Sequence, residues 1–269
     1  MFRNLQIEWM KIKSYRVFQV FSVLYLIGIL IIIYIFYKIY MQLMGRIMSM
    51  GSPNPRDGRD LFQLFSPDTI WTTVCFSTSF LLYLPGMVII NLFINEVNFK
   101  THRQNIIDGW KRETFIYTKI GLIFCMSVVV TIMNLIATLI MCQVTHSDFS
   151  LTAGLETLGL SFLQTFIYLM FALLLATFFR RSGVAIIVFF IYGLLLEVLL
   201  MWLFWKILPG AQHFLPLQVA DSLIAFPGMN ATNGPFGGRP GILFMVIGAL
   251  AYLSLYIFLT VRKYKYDDL

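Results

Sequence analysis

Few side chains in this sequence combine the residue type and the spacing that enzyme chemistry needs. The three histidines, His102, His146 and His213, lie far apart, and no Gly-Lys pair, H-E-x-x-H or G-x-S-x-G motif occurs. The three cysteines form no C-x-x-C pair, and their odd number argues against a disulfide framework. We therefore expect no catalytic residue, no phosphate-binding P-loop, no metal site and no cofactor in this chain.

Glu197 is the acidic residue whose position most needs an explanation. It lies about two-thirds of the way along an apolar stretch, where an ionised carboxylate costs roughly 3 kcal/mol. It must therefore be neutral, have a partner, or face a cavity or a dimer interface. Two roles are open: a substrate or proton pathway, or a structural hydrogen bond to a polar side chain such as Asn134 or Gln164.

The elements that must position such residues are membrane helices. The chain is 59% hydrophobic, only 12% charged, and contains 26 phenylalanines, which excludes an ordinary soluble domain. Six apolar stretches are each long enough to cross a hydrocarbon core of ~30 Å. We predict an all-α membrane protein with one transmembrane domain over residues 1–269, whose spans lie at about 17–37, 69–95, 116–143, 155–179, 183–205 and 241–261.

Basic residues favour one orientation of these spans. Fourteen Lys and Arg residues fall before the first span, after even-numbered spans and after the last, whereas six fall in the other loops. Basic residues stay on the cytoplasmic side, so both termini are predicted to be cytoplasmic. The loop after the first span opposes this rule with four basic residues, of which Lys38 is expected to snorkel from the helix end. The net charge of +7 suits an anionic inner leaflet rather than nucleic acid.

Two segments outside the spans have helical apolar faces. Before the first span, Phe2, Leu5, Trp9 and Ile12 recur at helical spacing, with Asn4, Glu8, Lys11 and Lys13 among the polar positions, which predicts an amphipathic helix lying in the membrane interface. In the last external loop, a short helix is expected after Pro216, because proline suits the first helical turn. Leu217, Ala220, Leu223 and Ile224 would share its apolar face and dip into the outer leaflet or cap the bundle.

The cytoplasmic segment after the second span is the most polar part of the chain. Ile106, Ile107 and Trp110 form an apolar patch with charged flanks, which favours docking on a partner over a solvated connector. The segment resembles that of ABC-2-type transporter permeases. In that family a Glu ends the second span, and a Thr-containing turn, an apolar pair, a basic residue and a Lys entering the next span follow. The matching residues are Glu96, Thr101, Ile106, Ile107, Arg112 and Lys119. Lys100 stands where the family usually has Gly, and Asp108-Gly109-Trp110 replaces its usual Pro.

The resemblance implies a permease subunit of a bacterial ABC exporter in the cytoplasmic (inner) membrane. It implies that a coupling helix docks on a separate ATP-binding subunit, which carries the ATP and Mg²⁺, and that two permease copies form the pathway. The residues assigned to coupling are Glu96, Thr101, Arg103, Ile106, Ile107, Trp110 and Arg112, and those assigned to an external gate are Leu215, Pro216, Leu217 and Asp221. The alternatives are an ion-coupled secondary transporter, or a membrane-embedded enzyme or receptor without an ATPase partner.

The orientation can be tested by labelling single introduced cysteines in a variant lacking Cys75, Cys125 and Cys142. Cysteines at positions 55 and 230 should react with an impermeant maleimide on intact cells, because both loops are predicted to be external. Cysteines at positions 103 and 265 should react only after permeabilisation. Labelling of position 103 from outside would overturn the orientation and, with it, the transporter interpretation.

Overall fold

The computed structural model of the chain describes residues 2–50, 64–67, 69–101, 112–145, 151–208, 210–224 and 240–266. These residues form an all-α bundle, as predicted. The α-helices are Phe2–Lys13 (α1), Arg16–Met50 (first span), Ile70–Ser79 and Tyr83–Asn98 (second span), Arg112–Thr145 (third span), Leu151–Phe178 (fourth span), Ser182–Ile191 and Glu197–Ile207 (fifth span), Gln218–Asp221, and Ile242–Tyr266 (sixth span).

The six predicted spans are confirmed as helices that are long and apolar enough to cross a membrane. The second and fourth spans form the core, since 61% of the most apolar window is buried in each, against 11% in the first span. The first, fifth and sixth spans therefore expose long rows of large apolar side chains. A water-facing surface of this kind would be unfavourable, so the chain is a multi-pass membrane protein.

The first helix is longer than predicted, because it continues to Met50 rather than ending near residue 37. Apolar side chains continue beyond Lys38, and Tyr40 is buried with its hydroxyl donating to the Thr145 carbonyl over 3.1 Å. Lys38 thus lies inside a helix and not at its end, with its ammonium 5.6 Å from the centroid of the Tyr34 ring. The expected loop at residues 38–68 begins as helix.

Helix α1 is present as predicted, but it buries a charged residue that the sequence placed on the polar face. Ile12 is 1% exposed, whereas Trp9 is 51% exposed and contacts Phe18 edge-to-face at 6.4 Å between ring centroids. Glu8 is buried as completely as Ile12. The contacts of Glu8 with the third span explain this difference and are described below.

The second and fifth spans, which pack against each other, each contain an irregular turn. Pro85 has no N–H to donate to the Leu81 carbonyl, and the second span tightens there into a 3₁₀ turn at Phe80–Leu82. The fifth span contains a π-helical turn at Tyr192–Leu196. Tyr83, just after the 3₁₀ turn, stacks on Phe190 with 5.0 Å between ring centroids. A Cβ at Gly193 would overlap the Tyr83 hydroxyl, so glycine permits this close approach.

Gly86 makes the other close contact between the second and fifth spans, and it provides a test of the packing. A Cβ there would lie 2.5 and 2.7 Å from two atoms of the Phe189 ring, which is fully buried. We expect Gly86→Ala to destabilise the protein by about 1–3 kcal/mol through overpacking, measured as a lower melting temperature in detergent.

Gly159→Ala is the matched control for that substitution. It lies on the fourth span with nothing within 4 Å of the added Cβ, so it should leave the melting temperature unchanged or raise it slightly. Equal melting temperatures for the two variants would contradict the close contact between the second and fifth spans.

Candidate functional site

A largely buried ionic cluster lies at the end of the bundle where α1 packs and where Lys265 of the sixth span reaches Glu113. Lys119, near the start of the third span, is only 3% exposed. Its ammonium donates to Glu96 Oε1 over 2.7 Å and also to Glu8 Oε2. Lys11 lies 3.4 Å from Glu8 Oε1. We call these four residues the Lys119 cluster.

The charges of the Lys119 cluster balance, since two carboxylates face two ammonium groups. Glu8 is 1% exposed and the Glu96 side chain 14%. Removing one partner of a buried ion pair typically costs about 3–5 kcal/mol, because the remaining charge stays buried without compensation. Glu8 comes from α1, Glu96 from the end of the second span and Lys119 from the third. The cluster therefore fixes α1 against both ends of the segment that joins the second and third spans.

A second contact reinforces this junction. Asn95, next to Glu96, donates from its side-chain amide to the hydroxyl of Tyr15, which lies between α1 and the first span. Burial raises the pKa of Tyr15, so the hydroxyl keeps its proton at neutral pH. The end of the second span is thus bonded directly to the elbow between α1 and the first span, and through Lys119 to Glu8 of α1.

The predicted coupling residues lie partly within the described structure. Glu96 belongs to the Lys119 cluster, and Thr101 is exposed with its hydroxyl donating to the Glu96 carbonyl over 3.1 Å. Arg103, Ile106, Ile107 and Trp110 lie outside the described residues. Arg112 begins the helix of the third span, and its side chain is not among those described. Between Glu96 and Thr101, Lys100 adopts a φ of 56°, a left-handed conformation that usually favours glycine.

Glu197 lies at the opposite end of the bundle, beneath the loop segment 210–224, which we call the cap segment. Glu197 is 2% exposed, and its Oε1 accepts hydrogen bonds from the backbone N–H groups of Leu217 and Gln218, each over 2.6 Å. These N–H groups begin the short helix Gln218–Asp221 and have no partner within that helix. A carboxyl oxygen at this position satisfies both donors.

The hydrogen-bond partners suggested for Glu197 from the sequence were wrong. Asn134 donates from its amide to Ser161 Oγ over 2.8 Å, and Gln164 donates to Asp221 Oδ1 over 3.0 Å. The backbone of the cap segment takes their place. Sequence patterns do not show which backbone groups lack partners, so this pairing had no signal in the sequence.

Asp221, one of the predicted gate residues, is the second carboxyl group of this site. The Tyr168 hydroxyl lies 2.7 and 2.8 Å from its two oxygens. Burial raises the pKa of Asp221 to about 6, although the hydrogen bonds from Tyr168 and Gln164 act to lower it. Asp221 is therefore mainly ionised at neutral pH and gains a proton in mildly acidic conditions.

The remaining predicted gate residues are held by the fifth and sixth spans. Leu217 is fully buried and Leu215 nearly so, and the Pro216 carbonyl accepts a hydrogen bond from the Tyr256 hydroxyl over 3.0 Å. The Tyr252 hydroxyl donates to the Phe214 carbonyl over 2.8 Å. The predicted apolar face of Leu217, Ala220, Leu223 and Ile224 is confirmed, since all four side chains are buried. The cap segment thus closes over the bundle end.

The structure brings Glu197 and the four gate residues together in one site, with the tyrosines that sequence reasoning missed. Tyrosines are common in apolar helices, and nothing in their spacing marks those whose hydroxyl reaches a loop. Among the described residues, no group of three or more His, Cys, Asp or Glu side chains could hold a metal ion. The carboxyl groups of this site can bind protons and accept hydrogen bonds from backbone N–H groups. Its described residues include no activated nucleophile.

Comparison with known proteins finds no family model and no curated protein that matches this chain.

Substitution of Glu197 separates the two roles considered for it. Glu197→Gln keeps an oxygen that can accept both N–H groups, and it should leave the melting temperature within a few degrees of wild type. Glu197→Leu leaves two buried donors without an acceptor, and it should destabilise the protein by about 1–3 kcal/mol per donor. Thermal unfolding and protein yield measure both effects, and Val198→Leu, at an exposed neighbouring position, is the control.

A pathway role for Glu197 gives a different pattern. Both variants would then be produced in normal amount but transport abnormally. Normal yield together with normal transport for Glu197→Leu would contradict both roles.

Proposed function

We propose that this protein is the membrane-spanning permease subunit of an ATP-driven exporter of the ABC-2 type. In this proposal, a separate subunit binds ATP and Mg²⁺ and hydrolyses the nucleotide. A hydrophobic or amphipathic substrate then crosses between two permease copies, which are either identical or similar. The phenylalanine-rich spans suit such a substrate better than a highly charged one.

The observation that carries the proposal is the Lys119 cluster. A segment that receives force from an ATPase must be attached rigidly to the helices that it moves. Here the two ends of the connecting segment, marked by Glu96 and Lys119, are joined to each other and to Glu8 of α1 by buried ion pairs. Such pairs fix relative geometry more than they add stability. A movement of the connecting segment would thus move the second span, the third span and α1 together.

The backbone at Lys100 gives further support. ABC-2 permeases usually have glycine at the position before the threonine of the turn, and here Lys100 stands in its place. Its φ of 56° is the conformation that glycine adopts most easily. A left-handed residue before Thr101 suits the turn of the ABC-2 pattern, although the residue here is lysine.

The cap segment suits the role of external gate in this proposal. It covers one end of the bundle, and hydrogen bonds from three spans hold it: Glu197 from the fifth, Tyr168 from the fourth and Tyr256 from the sixth. The exposed apolar faces of the first and fifth spans provide surface for a second permease copy and for lipid.

An ion-coupled secondary transporter is the second candidate, and one observation favours it. Glu197, next to the π-helical turn of the fifth span, accepts hydrogen bonds at the start of the short helix Gln218–Asp221, and the carboxyl group of Asp221 in that helix bonds to Tyr168 of the fourth span. Irregular helix segments and buried acids are typical of ion-binding sites in secondary transporters. This candidate requires transport that is driven by a proton or sodium gradient and needs no ATPase.

Co-purification from native membranes distinguishes the two candidates. A tagged chain should retain a polypeptide with a G-x-x-x-x-G-K motif that hydrolyses ATP. Trp110→Ala should reduce this retention more than tenfold, because an aromatic anchor at the centre of an interface typically contributes at least ~2 kcal/mol. The variant should still insert into the membrane.

The control is Phe244→Ala, which removes an exposed aromatic side chain from the sixth span. It should retain the ATPase as wild type does. Wild-type retention by Trp110→Ala would mean that the 96–112 segment is only a connector. A chain that retains no ATPase but transports under an ion gradient would establish the second candidate instead.

A further inference from the structure

A side pocket opens between α1 and the first three spans, remote from the cap segment. Its volume is about 170 Å³. This compares with the ~150 Å³ of an apolar cavity that takes up benzene and stays empty of water. The residues that line it include Trp9, Phe18, Tyr25, Pro85, Cys125 and Met133. Its walls are almost entirely hydrocarbon, so water would find few partners there.

The depth of the side pocket matches one leaflet of a bilayer. Along the third span its lining runs from Leu122 to Met133, which corresponds to about 16 Å of helix. This is roughly half of a ~30 Å hydrocarbon core. Trp9 lines the end nearest to α1, and Leu26 and Val129 on the rim are each nearly half exposed. The pocket therefore opens sideways, where lipid surrounds the bundle, and not towards either aqueous phase.

A positive charge lies close to the end of the pocket at α1. Lys13 is four residues after Trp9, so both side chains lie on the same face of α1. Lys13 is exposed, and it takes part in no ion pair with another described residue. Lysine beside an interfacial tryptophan reaches the level of the lipid phosphates. An apolar slot one leaflet deep and an exposed lysine one helical turn from Trp9 together fit an anionic lipid.

We propose that the side pocket binds one acyl chain of an anionic phospholipid whose phosphate pairs with Lys13. The dimensions favour this occupant over a second copy of the protein, since a helix with its side chains is about 10–12 Å wide and needs more room than 170 Å³ provides. The bound lipid would fill the gap between α1 and the third span. The proposal does not depend on the transport mechanism.

Photo-crosslinking in nanodiscs tests the proposal. The protein is placed in phosphatidylcholine that contains a trace of phosphatidylglycerol with a diazirine midway along one chain, and in parallel the same probe with a choline headgroup. Mass spectrometry compares crosslinks to residues 122–133 with crosslinks to the exposed face of the sixth span. We expect the phosphatidylglycerol probe to crosslink to the pocket at least about fivefold more than the choline probe does. This ratio is the effect expected of one lysine near an anionic surface. Excess unlabelled phosphatidylglycerol should abolish this preference.

Two pairs of variants make the test specific. Lys13→Gln should reduce the preference to that of the choline probe, whereas Lys38→Gln, which neutralises another exposed lysine, should not. Val129→Trp should fill the pocket and suppress crosslinks from both probes, whereas Leu199→Trp on the exposed face of the fifth span should not. Equal labelling of the pocket and the sixth span, or a preference that survives Lys13→Gln, would overturn the proposal.

Discussion

A charged side chain inside a membrane protein must find its partner within the protein, because hydrocarbon offers none. This constraint organises both ends of the bundle. At one end, Lys119 is compensated by Glu8 and Glu96, and the pairing fixes α1 against the second and third spans. At the other end, Glu197 is compensated by two backbone N–H groups of the cap segment. In each case an ionisable group belongs to a transmembrane helix and its partner to another element, so satisfying that group also sets the position of the other element.

The middle of the bundle is held differently. The Tyr83, Phe189 and Phe190 rings pack between the second and fifth spans, and Gly86 and Gly193 allow the close approach. Helices in lipid gain little from the hydrophobic effect between themselves, so small residues and interlocking rings supply the contact. The irregular turns of both spans lie in this region, at Phe80–Leu82 and Tyr192–Leu196. A π turn adds a residue to a helix and rotates the residues after it, which here orients Glu197 towards the cap segment rather than towards lipid.

Much of this architecture could be predicted from the sequence, because the apolar length of a span and the facing of a short helix are local properties. The six spans, α1 and the apolar face of the cap segment are confirmed for this reason. The predicted end of the first helix near residue 37 is wrong, since apolar residues continue past Lys38. The burial of Glu8 and the partners of Glu197 could not be predicted, because each depends on a residue distant in the chain: Glu8 contacts Lys119, and Glu197 contacts Leu217. Local periodicity shows which face of a helix is apolar, but it does not show which helix faces contact each other. The coupling residues Ile106, Ile107 and Trp110 remain predictions.

The two ends of the bundle differ in how readily water can replace the contacts that hold them. In the Lys119 cluster, Glu8 and Lys119 are buried and the Glu96 side chain is 14% exposed. Separating these opposite charges would leave each without its partner, so this end should move as a unit. The cap segment is held by hydrogen bonds from Glu197, Tyr168 and Tyr256 to groups that water could also satisfy. Water entering beneath the cap segment would replace the N–H donors of Leu217 and Gln218, and each replacement costs little net free energy. One end of the bundle is therefore rigid, whereas water can replace the contacts at the other end. A movement imposed at the rigid end would open the bundle at the cap segment, because the contacts there are lost at the smallest net cost in free energy.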